Sequence, residues 1–451
     1  MWLAALLSCP AAATAASVVV DTHCGKYGCG ESLLYSAAPG ERNGVTVVQE
    51  GNLVTVRDTA GIEPGTACEA LDALSARCTF ALSSFQRSAS FRFGDEADDL
   101  DARMFATGVG LIGGPGDDRL LGPDAAGARF VGGAGDDEMT GGSLPDRFES
   151  TRRDGSDTIA GGGPPPVLDA SYFPPHDEVW YSRSRPVRVL FDGRPNDGAR
   201  GEHDNLLSIE GASTGSGDDV VIGSAGAEYM FGGAGRDLLR GGGGADRLLG
   251  GDDFVRGRAI PLGSADRLEG GAGPDVLDGE GGDDLLIGGS GRDILDGGRD
   301  RDRLRSGDGD RDWVLCGRGF DRLAGSAADV VTRGCERSQG ARSGVEGIVL
   351  WRVSPAVVSL VVACPVAAPG DCAGTLTLSV PGRPPSMAPY SVRRGMAAYV
   401  DLPQESMDLD DAIRGLSGAV ATTASDSARF GELPDWAPYS SFLDALGVPQ
   451  Q

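Results

Sequence analysis

From residue 214 to residue 324 the chain repeats a nine-residue pattern, Gly-Gly-x-Gly-x-Asp-x-apolar-x, and so short a strict period leaves little room for any fold but a solenoid. The clearest copies are GGAGRDLLR from Gly232, GGGGADRLL from Gly241, GGAGPDVLD from Gly270, GEGGDDLLI from Gly279 and GGSGRDILD from Gly288. Eleven units are recognisable. They start at 214, 223, 232 and 241, then at 261, 270, 279, 288 and 297, and, after a one-residue slip at Ser306, at 307 and 316; residues 250 to 260 break the register. Position six is Asp219, Glu228, Asp237, Asp246, Asp266, Asp275, Asp284, Asp293, Asp302, Asp312 and Asp321. Position eight is Val221, Met230, Leu239, Leu248, Leu268, Leu277, Leu286, Leu295, Leu304, Val314 and Leu323, apolar in every unit.

Glycine at positions one, two and four permits positive φ and leaves the carbonyls bare, so six residues can make a tight turn with its oxygens facing inward. The last three residues then form a short strand with one buried side chain. One buried Leu per unit does not offset the entropy of ordering nine glycine-rich residues. Backbone hydrogen bonds recover part of the deficit. A hard cation that takes about six to eight oxygens from carboxylates and carbonyls suits the rest, which makes calcium the natural candidate. A disordered Gly/Asp linker, the alternative for such a composition, has no strictly phased apolar residue. The expectation is a segment disordered without calcium and folded with it.

The pattern resembles the RTX family of haemolysin-type calcium-binding nonapeptide repeats, in its secreted multi-domain form. The resemblance implies a right-handed parallel β-roll in which two successive units make one coil and each ion lies between turns one coil apart. A weaker array comes first: FGDEADDLD from Phe93, GGPGDDRLL from Gly113, GGAGDDEMT from Gly132 and GGSLPDRFE from Gly141, ending at Asp157 and Ile159. With fewer intact turns it should bind more weakly. The candidate calcium-binding residues are Asp118, Asp137, Asp219, Asp237, Asp246, Asp266, Asp275, Asp284, Asp293, Asp302, Asp312 and Asp321, with the turn glycines Gly232, Gly235, Gly241, Gly244, Gly270, Gly273, Gly288 and Gly291. Several ions are expected. Coils of two units would stack Asp266, Asp284 and Asp302 on one side and Asp275 and Asp293 on the other. The break at 250 to 260 is expected to displace a neighbour of Asp275, and the slip at Ser306 a neighbour of Asp293, leaving Asp284 the better ligand. Glu228, with its extra methylene, should matter least.

Charge agrees with a cation partner. The 451-residue chain carries 72 glycines and a formal charge of −26, and residues 214 to 324 hold 22 acidic residues against 14 arginines. Phosphate contacts need a basic surface, so nucleic acid is a poor partner. Residues 1 to 15, MWLAALLSCPAAATA, have the apolar core and small-residue Ala13-Thr14-Ala15 site of a secretory signal, without its charged start. Leu6-Leu7-Ser8-Cys9 is a faint lipoprotein box, too close to the start to serve as one. Export would leave eight cysteines in four neighbouring pairs, Cys24/Cys29, Cys68/Cys78, Cys316/Cys335 and Cys364/Cys372, which read as local disulfides in a secreted chain. A zinc half-site at His23, Cys24 and Cys29 lacks a second ligand pair nearby.

The organisation expected is all-β: a parallel β-roll in two arrays, flanked by a small N-terminal β domain and a C-terminal β-sandwich. The signal occupies 1–15, the N-terminal β domain 16–93, the degenerate array 94–160, an insertion or cap 161–213, the main roll 214–335, the sandwich 345–430 and a tail 431–451. Val45 to Asp58 alternates about Glu50-Gly51-Asn52 as a hairpin does, and Ser88 to Phe93 adds a strand. Gly161-Gly162-Gly163-Pro164-Pro165-Pro166 breaks the repeats. In the segment after it, Tyr172, Phe173, Trp180 and Tyr181 are expected to cap the roll, and Asp192, Asn196, Asp197, Glu202 and Asp204 form either a solvent loop or a further ion site. The runs Val357–Val362, Thr375–Val380, Ala398–Leu402 and Ala419–Thr423 suggest an immunoglobulin-like sandwich. Pro355 to Pro369 is too short to span a bilayer, so no transmembrane span is expected.

RTX arrays often follow a protease or lipase domain, which makes a secreted hydrolase the rival to a structural or adhesive protein. The metalloprotease motif His-Glu-x-x-His is absent, with His23, His176 and His203 the only histidines. Gly211-Ala212-Ser213-Thr214-Gly215 matches Gly-x-Ser-x-Gly, but a nucleophile elbow needs a strand running into a helix, and here the motif enters a repeat turn. The expectation is an extracellular protein without catalysis, whose partners are calcium ions and cell-surface or matrix components.

Overall fold

A computed structural model describes residues 15–331, less 26–27, 82–86, 151–154, 164–176, 252–262 and 327–328, together with the strand Cys335–Gln339 and seven strands between 348 and 429. Among the described residues there is no helix. The chain forms two compact units, divided at Gly215.

In the first unit the apolar residue of each repeat defines the core. Leu100, Leu120, Met139, Ile159 and Leu206 are paired in register along one parallel sheet, and Phe91, Leu111, Phe130, Phe148, Val179 and Ala212 along the other. All are buried, and the stacked rings of Phe130 and Phe148 lie 4.6 Å apart. Successive strand side chains alternate between faces, although Leu121 and Ser213, which flank Leu120 and Ala212, are buried as well.

The expected boundary at residue 93 is not a domain boundary. The strand Gly28–Ser36 pairs in parallel with Arg87–Arg92, which pairs with Val109–Pro115; in the opposite sheet Gly44–Glu50 pairs with Asp99–Met104. The hairpin Gly44–Glu50/Leu53–Asp58, turning at Gly51 with φ 63°, therefore lies at the end of the roll. Its valines, Val45, Val47, Val54 and Val56, cover the first coil's apolar end.

The strands Glu178–Tyr181, Asn205–Leu207 and Gly211–Ser213 continue the two sheets of the first unit, whereas Val187–Leu190 and Gly198–Ala199 form an antiparallel pair. Arg147–Ser150 pairs with Glu178–Tyr181, which pairs with Gly211–Ser213, while Thr158–Ala160 pairs with Asn205–Leu207. The long spacers hide the period, and the coils stay in register because ladder pairing depends on the strands and not on connection length. Tyr181 is an interior residue, and Trp180 lies under the Arg147 guanidinium, 3.4 Å from the ring centroid. Tyr172 and Phe173 lie outside the described residues.

The second unit repeats the plan at a stricter period. Val221, Leu239, Leu268, Leu286, Leu304 and Leu323 form one buried column, and Met230, Leu248, Leu277, Leu295 and Val314 the other. Neither irregularity interrupts them. Leu239 pairs with Leu268 and Leu248 with Leu277 across the break, and Leu295 pairs with Val314 across the slip. Gly250 and Gly251 occupy positions one and two of the unit ending at Glu269: Gly251 has φ 117°, and a Cβ on Gly250 would lie 2.7 Å from the Asp266 Oδ2. This unit therefore starts at 250, not 261, and 252–262 is inserted inside its turn.

Further on, Ile348–Ser354, Val357–Ala363 and Ala397–Pro403 form an antiparallel sheet, and Cys372–Ser379, Ser386–Val392, Val420–Thr422 and Ser427–Arg429 form another. Three of the four expected disulfides are present, Cys24–Cys29, Cys68–Cys78 and Cys316–Cys335; Cys364 lies outside the described residues.

Deleting 252–262 joins Gly251 to Gly263 and restores the nonapeptide GGGSADRLE. The deletion variant is expected to keep the wild-type calcium stoichiometry and thermal midpoint, measured by calorimetry; loss of cooperative unfolding would contradict an insertion confined to one turn.

Candidate calcium-binding turns

Position six directly precedes each three-residue strand, so stacking the strands stacks its carboxylates. They form a ladder. The amide of each position-six residue donates to Oδ1 of the carboxylate one coil on: Asp266 to Asp284 at 2.8 Å, Asp284 to Asp302 at 2.9 Å and Asp302 to Asp321 at 2.9 Å. On the other side the run is Asp246 to Asp275, Asp275 to Asp293 and Asp293 to Asp312, each at 2.9 Å. Asp219 donates to Asp237 and Asp237 to Asp266, both at 2.8 Å, and Asp118 donates to Asp137 at 2.9 Å. All twelve aspartates expected as ligands thus lie in these columns. The neighbours of Asp275 and Asp293 are in place, so the expected advantage of Asp284 over them disappears: the insertion and the slip are absorbed in turns, upstream of the ladder residue.

The other oxygen faces a different environment. Oδ2 of Asp118, Asp246, Asp275, Asp284, Asp293, Asp302 and Asp312 is buried and accepts no hydrogen bond. In the turns of Asp118, Asp246, Asp275, Asp284 and Asp302 it points at the position-one glycine and at a carbonyl one coil away. A Cβ on Gly270 would lie 2.4 Å from Asp275 Oδ2 and 2.5 Å from Gly288 O; on Gly279, 2.6 Å from Asp284 Oδ2 and 2.7 Å from Gly297 O; on Gly241, 2.1 Å from Asp246 Oδ2 and 2.6 Å from Gly270 O. Position-one glycines, among them Gly232, Gly241, Gly270 and Gly288, do not have positive φ. They are glycine because oxygens fill the space a side chain would take. Positive φ belongs to positions two and four, including Gly235, Gly244, Gly273 and Gly291, with φ between 109° and 130°.

Acceptors facing acceptors in a buried turn, with no donor between them, are costly unless a proton or a cation sits there. Burial first, and then the neighbouring carboxylates Asp266 and Asp302, push Asp284 up to about 9 from a usual 3.8. Burial likewise raises Asp302 and Asp312 to about 8, and Asp275 and Asp293 to about 7. Among the described residues no three His, Cys, Asp or Glu side chains converge on one point, so a cation held here draws most of its oxygens from carbonyls. The donor set is all oxygen and anionic, which fits calcium and does not fit softer metals.

These turns are RTX calcium-binding repeats. Residues 129–146, 213–239, 222–254, 262–295, 278–312 and 287–323 match the family model of the RTX calcium-binding nonapeptide repeat (4 copies). No curated protein matches the chain.

The ladders are longer than the repeats suggested. Asn43, Asp98, Asp118, Asp137, Asp157 and Asp204 form one column of the first unit, and Ala128, Asp146, Asp177 and Glu210 the other. Asp329 extends the second unit. The signal that finds Asp177, Asp204 and Asp329 is the short triplet Asp-x-apolar, in Asp177-Glu178-Val179, Asp204-Asn205-Leu206 and Asp329-Val330-Val331, without its glycines. Glu228 occupies a ladder position, donating to Asp246 Oδ1 at 2.9 Å, and its Oε1 accepts the Ser224 hydroxyl at 2.5 Å.

Gly270→Ala places a methyl among the oxygens at a backbone conformation alanine tolerates, and should remove calcium binding at Asp275; Asp275→Ala and Asp284→Ala should reduce stoichiometry equally, with Glu228→Ala reducing it least. Calorimetric titration of the four variants checks this. The raised carboxylates also set a pH dependence. In chelator, their contribution to stability is fully present below about pH 4 and is lost as pH rises through about 7 to 9, so acidification should promote β structure. With calcium the sign reverses, because protons compete for the same oxygens. Circular dichroism from pH 4.5 to 9, with and without calcium, measures both slopes.

Proposed function

We propose that the protein is an extracellular, calcium-folded structural or adhesive protein without catalytic activity. The observation that carries the calcium dependence is the set of buried, donorless Oδ2 atoms stacked against carbonyls in the second unit. Calcium at the millimolar levels outside cells would fill these turns; in a calcium-poor cytosol the same carboxylates repel one another. Folding is thereby tied to export. Three disulfides between neighbours in sequence support an oxidising compartment. Among the described residues no helix is long and apolar enough to cross a membrane.

A non-catalytic role is supported by Ser213, the serine of the Gly-x-Ser-x-Gly match. It lies in the parallel strand Gly211–Ser213, nearly buried, and donates its hydroxyl to Glu178 Oε1 at 2.5 Å. That is a cross-strand pair on a sheet, not a nucleophile on a strand-to-helix turn beside a base. Cell-surface or matrix components are the partners proposed besides calcium.

Calcium titration followed by circular dichroism and limited proteolysis tests the proposal. Chelated protein should lose β signal and become protease-sensitive between residues 216 and 331, and millimolar calcium should restore both. Full β signal and full resistance in chelator would overturn it.

A further inference from the structure

Not every ladder carboxylate faces bare oxygens. In the first unit, Asp204 Oδ1 accepts the amide of Asp157 at 3.0 Å and its Oδ2 accepts the Tyr181 phenol at 3.0 Å, with both Asp204 and Tyr181 buried. Arg183, also buried, pairs with Glu202, donates to the Ser150 hydroxyl, and sits 5.5 Å from the Tyr181 ring centroid. Elsewhere in this unit Asp146 Oδ2 accepts the amide of Gly142 at 2.7 Å, and Asp98 Oδ2 accepts that of Gly94 at 3.3 Å. The second unit treats the second oxygen differently. In its interior coils, Asp246, Asp275, Asp284, Asp293, Asp302 and Asp312 have no donor at Oδ2. A donor returns at the far end, where Asp329 Oδ2 accepts the hydroxyl of Ser306 at 2.7 Å and the amide of Ser326 at 2.6 Å.

We propose that Tyr181, with Arg183 beside it, takes the place of a calcium ion at Asp204, so that the first unit folds on its own donors while the second requires calcium. The phenol satisfies the second carboxylate oxygen without adding charge, as a charge-assisted hydrogen bond. The guanidinium is already paired with Glu202, so a cation at Asp204 would have to displace the phenol and compete with Arg183 for the Glu202 carboxylate. Asp118 and, beside the site, Asp197 each keep a buried Oδ2 with no hydrogen-bond partner, so the unit retains two places where calcium can add to its own donors without replacing them. The assignment rests on the calcium reading of the second unit and adds which coils are exempt from it.

Amide hydrogen exchange on the full chain, in chelator and in calcium, tests it. In chelator the strands Arg119–Leu121, Glu138–Thr140, Thr158–Ala160 and Asn205–Leu207 should stay protected while Arg267–Ala272, Leu285–Ser290 and Arg303–Arg305 exchange freely. Calcium should protect the second group. In Tyr181→Phe, Thr158–Ala160 and Asn205–Leu207 should exchange about tenfold to a hundredfold faster in chelator, the loss expected when a buried charged acceptor loses its donor, and calcium should slow them again. Adding Asp204→Asn removes the charge that needs compensation and should restore calcium-independent protection. The inference is overturned if chelated wild-type protein exchanges equally fast in both units, or if Tyr181→Phe changes nothing. Failure of the calcium reading looks different: no heat of calcium binding, and no protection of the second unit by calcium.

Discussion

A single hydrogen bond, from the amide of one position-six residue to Oδ1 of the next, organises the rest of this molecule. It locks each carboxylate in one orientation, because the amide is fixed by its own strand. The second oxygen is therefore committed to the turn, where it meets the carbonyl of a glycine one coil away. Neither group can rotate out of the encounter without breaking a ladder bond. The fold thus creates a row of paired acceptors and leaves the supply of positive charge to something else.

The two units supply it differently. In the first, the core is wide and aromatic, with Phe91, Phe130 and Phe148 in one column, and several carboxylates are answered by a phenol, by backbone amides or by a neighbouring guanidinium. In the second, the position-eight columns hold no aromatic residue, and Asp246, Asp275, Asp284, Asp293, Asp302 and Asp312 have no donor at Oδ2.

Irregularities fall where this arrangement tolerates them. The spacer 164–176, the segment 191–203 and the insertion 252–262 all enter between ladder positions, and the residues that must coincide, position six and position eight, remain stacked on either side. A turn can be lengthened outward into solvent at small entropic cost. A strand lengthened by one residue would turn its buried side chain outward.

Period and composition alone determined the coil of this protein: one apolar residue and one acidic residue per nine positions dictate a parallel solenoid with an anionic turn, and the strictness of the period located both columns from Val221 to Leu323. The N-terminal hairpin and three of the disulfides were legible for the same reason, being local. What the sequence could not carry was which distant strands are neighbours. Only the tertiary structure showed that strands before residue 93 and between 178 and 213 pair with those of the repeats, because Asp177 and Asp204 occupy ladder positions without any glycine signature, and pairing across 31 or 47 residues leaves no local periodicity. It also decided that position-one glycines are required by oxygen crowding and not by φ, and that Tyr181 lies against Asp204. Both depend on atoms one coil apart, a distance that the chain closes only when it is wound.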